Sequence, residues 1–353
     1  MAIYHLILSA CLAEPSGSCA PILLPAGDHA NPAACTAAAA RITQSWLADH
    51  PGLTAGAATC VANGDVEALA VTEIAPGIWF RQGETAQIAP ENGGRIANLS
   101  FVVGDTVAVI DAGASRAEGQ ALYAAIRRVT DRPISHLILT HMHPDHSLGA
   151  AVFAEAGARV IGHPHLPDAL AARAETYLAN FDRIIGPAAM IGTAVTAPEA
   201  VAPGGEVIDL GRTRLTLTPV RTAHTDNDLM VHDSATGTLF TGDLVFRDLA
   251  PVVDGSLNGW LAWLDLPPQP EPALIVPGHG PVAADWASAT ADQQQLLSAL
   301  RDATRDQIAQ GRAMSDAVPA IVDLLQPLAD EWIDFSPTMA RDATAAFKEL
   351  EWE

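Results

Sequence analysis

The chain has 353 residues, 49% of them apolar, enough for one large domain with appendages or for two domains, and with only 5% aromatics the core is left to Ala, Val, Leu and Ile. Its 41 acidic residues against 19 basic ones give a formal charge of −22, which argues against a polyanion such as nucleic acid as substrate. Lys348 is the single lysine and lies near none of the candidate sites in the sequence, which sets aside Schiff-base and P-loop chemistry.

All four cysteines, Cys11, Cys19, Cys35 and Cys60, fall near the amino terminus. Their spacing matches no CxxC pair, so disulfides are expected rather than a structural zinc site. Four cysteines allow three connectivities, and Cys11–Cys19 with Cys35–Cys60 is preferred because it closes one short and one medium loop. Disulfides imply an oxidising compartment such as the bacterial periplasm. Met1 to Ala13 is nevertheless a poor secretory leader, with no basic residue ahead of a short apolar run, although Leu8-Ser9-Ala10-Cys11 resembles a lipoprotein processing site. This leaves the compartment open between periplasm and cytoplasm. A helix is expected near Ala37 to Ala48, and residues 1–66 read as a cysteine-containing amino-terminal module.

Residues 67–285 carry an alternation of strands and helices. Pro76-Gly77 introduces a strand at Ile78 to Arg81. Phe101 to Val103 and Val107 to Ile110 flank Gly104-Asp105, a hairpin signal. Helices are expected over Arg116 to Val129 and Leu148 to Ala156, and a short strand at Val160-Ile161. Residues 170–200 are alanine-rich and read as a helical insertion bordering the site. From 286 to 353 the pattern is helical, with Leu296, Leu297, Leu300, Ala303 and Ile308 in register, Gly311 as a stop and Ser336-Pro337 as a cap. Trp332 and Trp352 are expected to pack. No stretch approaches the roughly 20 apolar residues of a membrane span.

The chemistry concentrates at His141-Met142-His143-Pro144-Asp145-His146, three imidazoles and a carboxylate in six residues. Ile134 to Thr140 before it has the character of a buried strand, and Pro144 forbids continued regular pairing, so these side chains are displayed at a strand end. Imidazole and carboxylate at this spacing suit a divalent transition metal such as zinc. His224 follows the alternating Leu215 to Thr218. Leu239 to Asp243 ends another strand on a Gly-Asp turn. Leu274 to Gly280 ends a third with His279 between glycines.

The order HxHxDH, His, Gly-Asp, PGHG resembles the metallo-β-lactamase superfamily over roughly residues 75–282, and Asp111-Ala112-Gly113 resembles its earlier Asp-x-Gly motif. The resemblance implies an α/β fold, a four-layer αββα sandwich with metals at one edge. It assigns His141, His143 and His224 to a first metal, Asp145, His146 and His279 to a second, and Asp243 to a bridge between them. Asp111 would orient a ligand imidazole from behind. This set is similar to that of glyoxalase II more than to true β-lactamases. It implies two zinc ions and a metal-bridging hydroxide acting on a small ester, thioester or lactam-like substrate, with Asp145 as the catalytic carboxylate that orients the nucleophile or takes its proton.

The whole-chain layout, including Trp46, His50 and Pro51 near the cysteines and the terminal Leu350-Glu351-Trp352-Glu353, resembles quinoprotein relay system zinc metallohydrolases. That kinship implies a link to a quinoprotein dehydrogenase as partner. Two rivals stand beside it, a mononuclear iron persulfide dioxygenase using His141, His224 and Asp243, and a non-catalytic quinoprotein accessory protein. His163 and His165 read as a surface turn, and His136 and His232 as strand residues. Arg247 reads as an anion binder or a structural ion-pair partner. One of Trp260 and Trp263 is expected to line the pocket.

Overall fold

Alternating apolar side chains decide the first layer. The computed structural model describes residues 3–13 and 17–353. In it β1 (Tyr4–Leu12) is the central strand of an antiparallel sheet, flanked by β2 (Cys19–His29) and β3 (Leu53–Ala62). Leu6, Leu8 and Ala10 point from one face of β1 onto Cys35, Ile42 and Trp46 of α1 (Pro32–Ala48). That helix starts earlier than the apolar pattern suggests, because Asn31 caps the Ala34 amide and Pro32 takes the first turn. Disulfides join Cys11 to Cys19 and Cys35 to Cys60. Most of the segment read as a poor secretory leader is thus a core strand, and Cys11 of the lipoprotein-like site is disulfide-bonded. Met1 and Ala2, the start of that segment, lie outside the described residues. Two disulfides in a small module point to an oxidising compartment.

Two larger sheets follow. The first has the order β10 (Glu199–Ala200), β9 (Arg159–Gly162), β8 (Ile134–Leu139), β7 (Val107–Ile110), β6 (Leu99–Val103), β5 (Ile78–Arg81), β4 (Thr72–Ala75). Strands β7 to β10 run parallel, and β4 to β7 form an antiparallel meander with the Gly104-Asp105 hairpin between β6 and β7. The second sheet has the order β11 (Glu206–Asp209), β12 (Arg214–Pro219), β13 (Leu229–Asp233), β14 (Thr238–Phe246), β15 (Leu274–His279).

Ala108, Ile110 and Ile138 of the first sheet meet Leu215, Leu217, Val231 and Phe240 of the second, which makes the central core. Val107, Val109, Leu137 and Leu139 point the other way, onto α2 (Arg116–Val129), α4 (Ala150–Glu155) and α5 (Leu166–Ile185). The outer face of the second sheet is covered by α6 (Leu257–Leu264), α7 (Trp286–Ala309), α8 (Met314–Leu325) and α9 (Phe335–Leu350) through Leu244, Trp260, Leu296, Leu300, Met339 and Phe347. The result is the expected αββα sandwich with a helical carboxyl-terminal region.

Three expectations need correction. Strand β14 does not stop at Gly242-Asp243 but runs on to Phe246, with a register shift at Gly242 (φ 54°), because Leu244, Val245 and Phe246 are all buried. Helix α9 is preceded by Asp334 in the left-handed region rather than capped by Ser336, which sits inside the first turn. Trp332 packs as expected, whereas Trp352 is 84% exposed. Among the described residues no helix is long and apolar enough to cross a membrane.

Candidate metal centre

Strand ends deliver the seven candidate donors to one edge of the sandwich. Strand β8 runs into Thr140 and His141, after which His143 stands as the N-cap of a one-turn helix, α3 (Pro144–Ser147), with Pro144 at its first position. Asp145 and His146 follow inside that turn, so the motif is a short helix rather than an open loop. His224 lies beyond β12 on a turn held by Asp228, which accepts from the Thr225 amide and hydroxyl. Burial pushes the Asp228 carboxyl up to about 8. Asp243 lies within β14 and His279 closes β15. Gly278 is required beside them, because a Cβ there would collide with Asp243 Oδ1 and the Gly242 carbonyl carbon.

Two groups result. His141, His143, His224 and Asp243 form one, and Asp145, His146 and His279 the other, with donor atoms in each group within 4.8 Å of one another. Asp243 sits between them. Its Oδ2 lies 3.5 Å from both His141 and His224 Nε2 and 3.4 Å from His279 Nε2, while Oδ1 lies 3.1 Å from His146 Nε2. Asp145 Oδ2 approaches His279 Nε2 at 3.4 Å and His146 Nε2 at 3.6 Å.

Each imidazole is anchored by one nitrogen and turns the other inward. His224 Nδ1 bonds the Val252 carbonyl at 2.7 Å, and His279 Nδ1 the Ile96 carbonyl at 3.0 Å. His146 Nδ1 bonds Asp111 Oδ2 at 2.8 Å, and the same oxygen accepts from Thr140 Oγ1, which in turn faces His141 Nδ1 at 3.0 Å. Asp111 holds its carboxylate there from a left-handed backbone (φ 61°), a strained position that the Thr140 amide also pins. His143 is anchored in reverse, Nε2 to Asp254 at 3.1 Å, so its Nδ1 is the inward atom. Such partners fix the tautomer and raise ligand basicity.

Electrostatics follow from burial. Desolvation drives the His141 pKa well down and that of His224 to about 3, keeping both imidazoles neutral with free lone pairs. Burial also opposes charge on His146 and His279, yet Asp243 beside them raises both. Asp243 is pushed up by burial, but the charges of His146 and His279 hold it well below the carboxylate range. His141 Nε2 and Asp243 Oδ1 are buried and neither makes a hydrogen bond. Buried polar atoms rarely stay unpaired, and a cation would satisfy this nitrogen and this oxygen together, so the donor set fits a metal.

The cluster opens onto a cleft of about 650 Å³. His143, Asp145, Asp243 and His279 form its floor, with Ile88, Phe181, Phe246 and Leu249 among the apolar walls. Helix α5, which overlaps the stretch read as an insertion, supplies Arg173, Tyr177 and Phe181, and α9 supplies Arg341 and Lys348. Lys348 therefore does lie at the site, against the expectation from sequence position.

Neither Trp260 nor Trp263 lines the cleft. Trp260 is buried behind His224, ring centroids 5.3 Å apart, and Trp263 packs on Trp286. Arg247 donates to the Pro281 and Val282 carbonyls, so it is structural without being an ion pair. His163 is buried next to His165 and stands outside both groups. Asp254, Thr140 and the Val252 carbonyl went unread in the sequence, since nothing in their local pattern marks them.

The buried, two-part cluster of imidazoles and carboxylates lies at the edge of an αββα sandwich and forms a candidate metal centre. The family model for the metallo-beta-lactamase superfamily matches residues 92–279, and the chain belongs to that superfamily. Among solved structures it is similar to the stereoselective inverting sec-alkylsulfatase of Pseudomonas sp. (TM-score 0.60, 15% identity, 82% of this chain and 54% of that one). It is also similar to a metallo-beta-lactamase family protein of Thermus thermophilus (0.55, 19%, 78% and 93%) and to a metallo-beta-lactamase of Pontibacter korlensis (0.51, 20%, 65% and 99%). At these identities the likeness is one of fold. The chain spans about half the length of the alkylsulfatase. No curated protein matches it.

Proposed function

We propose that the protein hydrolyses a small ester, thioester or lactam-like substrate with two zinc ions held by His141, His143 and His224 on one side and Asp145, His146 and His279 on the other, shared by Asp243. The observation that carries this reading is the position of the Asp243 carboxylate, within 3.5 Å of four imidazoles drawn from both groups. A site for one ion has no use for the second group. Bound there, the ions supply Lewis acidity to a carbonyl oxygen and a hydroxide nucleophile at a pH of about 7.

The chain's own residues do the rest. Asp145 faces the cleft beside His279 and is placed to orient the attacking water and receive its proton. Ile88, Phe181 and Phe246 shield the acyl portion from solvent. Asp111 and Asp254 hold the imidazoles in one orientation from behind. Residues 1–66, 67–285 and 286–353 serve in this reading as disulfide module, catalytic domain and helical extension. The periplasm is the compartment the disulfides favour, and the whole-chain resemblance favours a quinoprotein dehydrogenase as partner.

The test is metal content of protein purified without added metal, together with turnover of a panel of thioesters, lactones and a chromogenic lactam. Two zinc ions per chain with turnover are expected. One iron per chain, with oxygen consumed in the presence of a persulfide and no hydrolysis, overturns the reading.

A further inference from the structure

Arg81 and Glu118 form a buried ion pair, and each grips a chain segment that anchors one imidazole of the second group. Arg81 ends β5 and is 12% exposed, and Glu118, in the first turn of α2, is 1% exposed. Arg81 Nη1 and Glu118 Oε1 lie 3.3 Å apart. The guanidinium also donates to the Ala97 carbonyl at 3.1 Å and to the Arg95 carbonyl at 3.0 Å. Between those two residues lies Ile96, whose carbonyl bonds His279 Nδ1. Gly83 leaves room for that carbonyl, because a Cβ there would overlap it.

Glu118 grips the opposite segment. Its Oε2 accepts from the Ala114 amide at 2.8 Å, and its side chain fills the place that a Cβ on Gly113 (φ 89°) would need. In the same segment the Asp111 carboxylate holds His146 Nδ1, and the Ala112 amide bonds the His146 carbonyl at 2.7 Å. Glu118 Oε1 makes no hydrogen bond and is left to Arg81. The first group's imidazoles are anchored elsewhere, at Thr140, Asp254 and the Val252 carbonyl. Burial pushes the Glu118 carboxyl up to about 7 against the pull of Arg81, and pushes the Arg81 guanidinium down. A buried ion pair gains little stability over apolar side chains of similar size, so stability alone does not account for it.

We infer that Arg81 and Glu118 are positioning residues for the second metal position. Their pairing clamps residues 95–97 to residues 111–114 and so sets the separation of His146 and His279, whose Nε2 atoms stand 3.5 Å apart. This rests on the two-metal reading and adds to it two residues that touch neither substrate nor metal. Both the charge and the shape of the guanidinium are used. The carboxylate fixes it from one side, and its planar fork spans two carbonyls on the other, which a single ammonium does less well.

The test is competitive zinc titration of the full-length, metal-free protein against a chelating dye, the step lost in His279→Ala marking the second group. Arg81→Lys and Glu118→Gln are each expected to weaken that step by about 10-fold or more and to leave the other in place. The double variant Arg81→Met, Glu118→Leu removes both charges together, so its melting temperature should recover toward that of the wild type while the second step stays weak. A purely structural pair would restore zinc affinity along with stability, and that result overturns the inference. So do two zinc steps that neither single variant moves, or two steps weakened equally. A wild type with a single zinc step instead overturns the two-metal reading, and this inference with it.

Discussion

Val253 donates its backbone N–H to Asp342 at 3.1 Å, and this bond ties the last long helix to the loop whose preceding carbonyl, that of Val252, orients His224. About two helical turns along, Glu349 accepts from the Ser256 hydroxyl and the Leu257 and Asn258 amides, capping α6 from outside. Two carboxylates of α9 thus fix the loop that supplies Asp254 to His143 and Val252 to His224. The carboxyl-terminal helix is part of how the candidate centre is held.

Asp342 gives that tether a pH dependence. Burial pushes its carboxyl up to about 7, against an ordinary value of 3.8. Below both values the group is neutral in folded and unfolded chains. Between them the unfolded chain has lost its proton while the folded one retains it, so stability falls as pH rises through this window, by up to about 4 kcal/mol. Asp342→Asn removes the effect. Urea unfolding of both proteins should show the wild type losing ground to the variant from pH about 4 to about 7, then running parallel. A constant difference across that range would contradict the assigned burial.

Anchoring residues make a prediction that separates the two halves of the centre. Asp111 holds His146 directly and His141 through Thr140, one imidazole in each group. Asp254 holds only His143. Asp111→Ala is therefore expected to weaken both metal positions, and Asp254→Ala only the first, each by about 10–100-fold. Competitive zinc titration against a chelating dye resolves the two steps. Equal effects of the two variants on both steps would break the assignment.

Local chemistry was legible in the sequence and long-range chemistry was not. His141 to His146 announces itself because apolar strand, proline and four polar donors are consecutive, and Asp243 and His279 carry glycines their close packing requires. The partners of those imidazoles are contributed across large sequence separations by backbone carbonyls and by Asp254, which carries no pattern of its own. Lys348 reached the cleft in the same way, by the return of α9. Tyr4–Leu12 could be read as a poor secretory leader but not as a strand, because the short alternation of Leu6, Leu8 and Ala10 shows no partner strand in the sequence. The end of β14 was misplaced because Gly242 has the positive φ of a turn while the strand continues past it.

The disulfides are expected to stabilise the amino-terminal module chiefly by restricting its unfolded chain. With separations of 8 and 25 residues, the chain-entropy relation gives about 2.5 kcal/mol for Cys11–Cys19 and about 3.5 kcal/mol for Cys35–Cys60. Native protein should show no titratable thiol. Paired serine substitution at Cys35 and Cys60 should lower the melting temperature more than the same change at Cys11 and Cys19. The reverse order would mean that strain or residual structure, rather than loop length, governs the module.

Asp145→Asn tests the catalytic role most directly. The substitution keeps the size of the side chain and removes the charge that lies beside His279 and His146 at the floor of the cleft. If Asp145 receives the proton of the attacking water, kcat should fall by about 100-fold or more while KM changes little, because substrate is held by the walls and rim rather than by this carboxylate. Zinc content must be measured on the same preparation. Two ions per chain with a depressed kcat assign proton transfer to Asp145, and loss of one ion assigns it to ligation. Full zinc content with undiminished kcat would remove Asp145 from the reaction altogether.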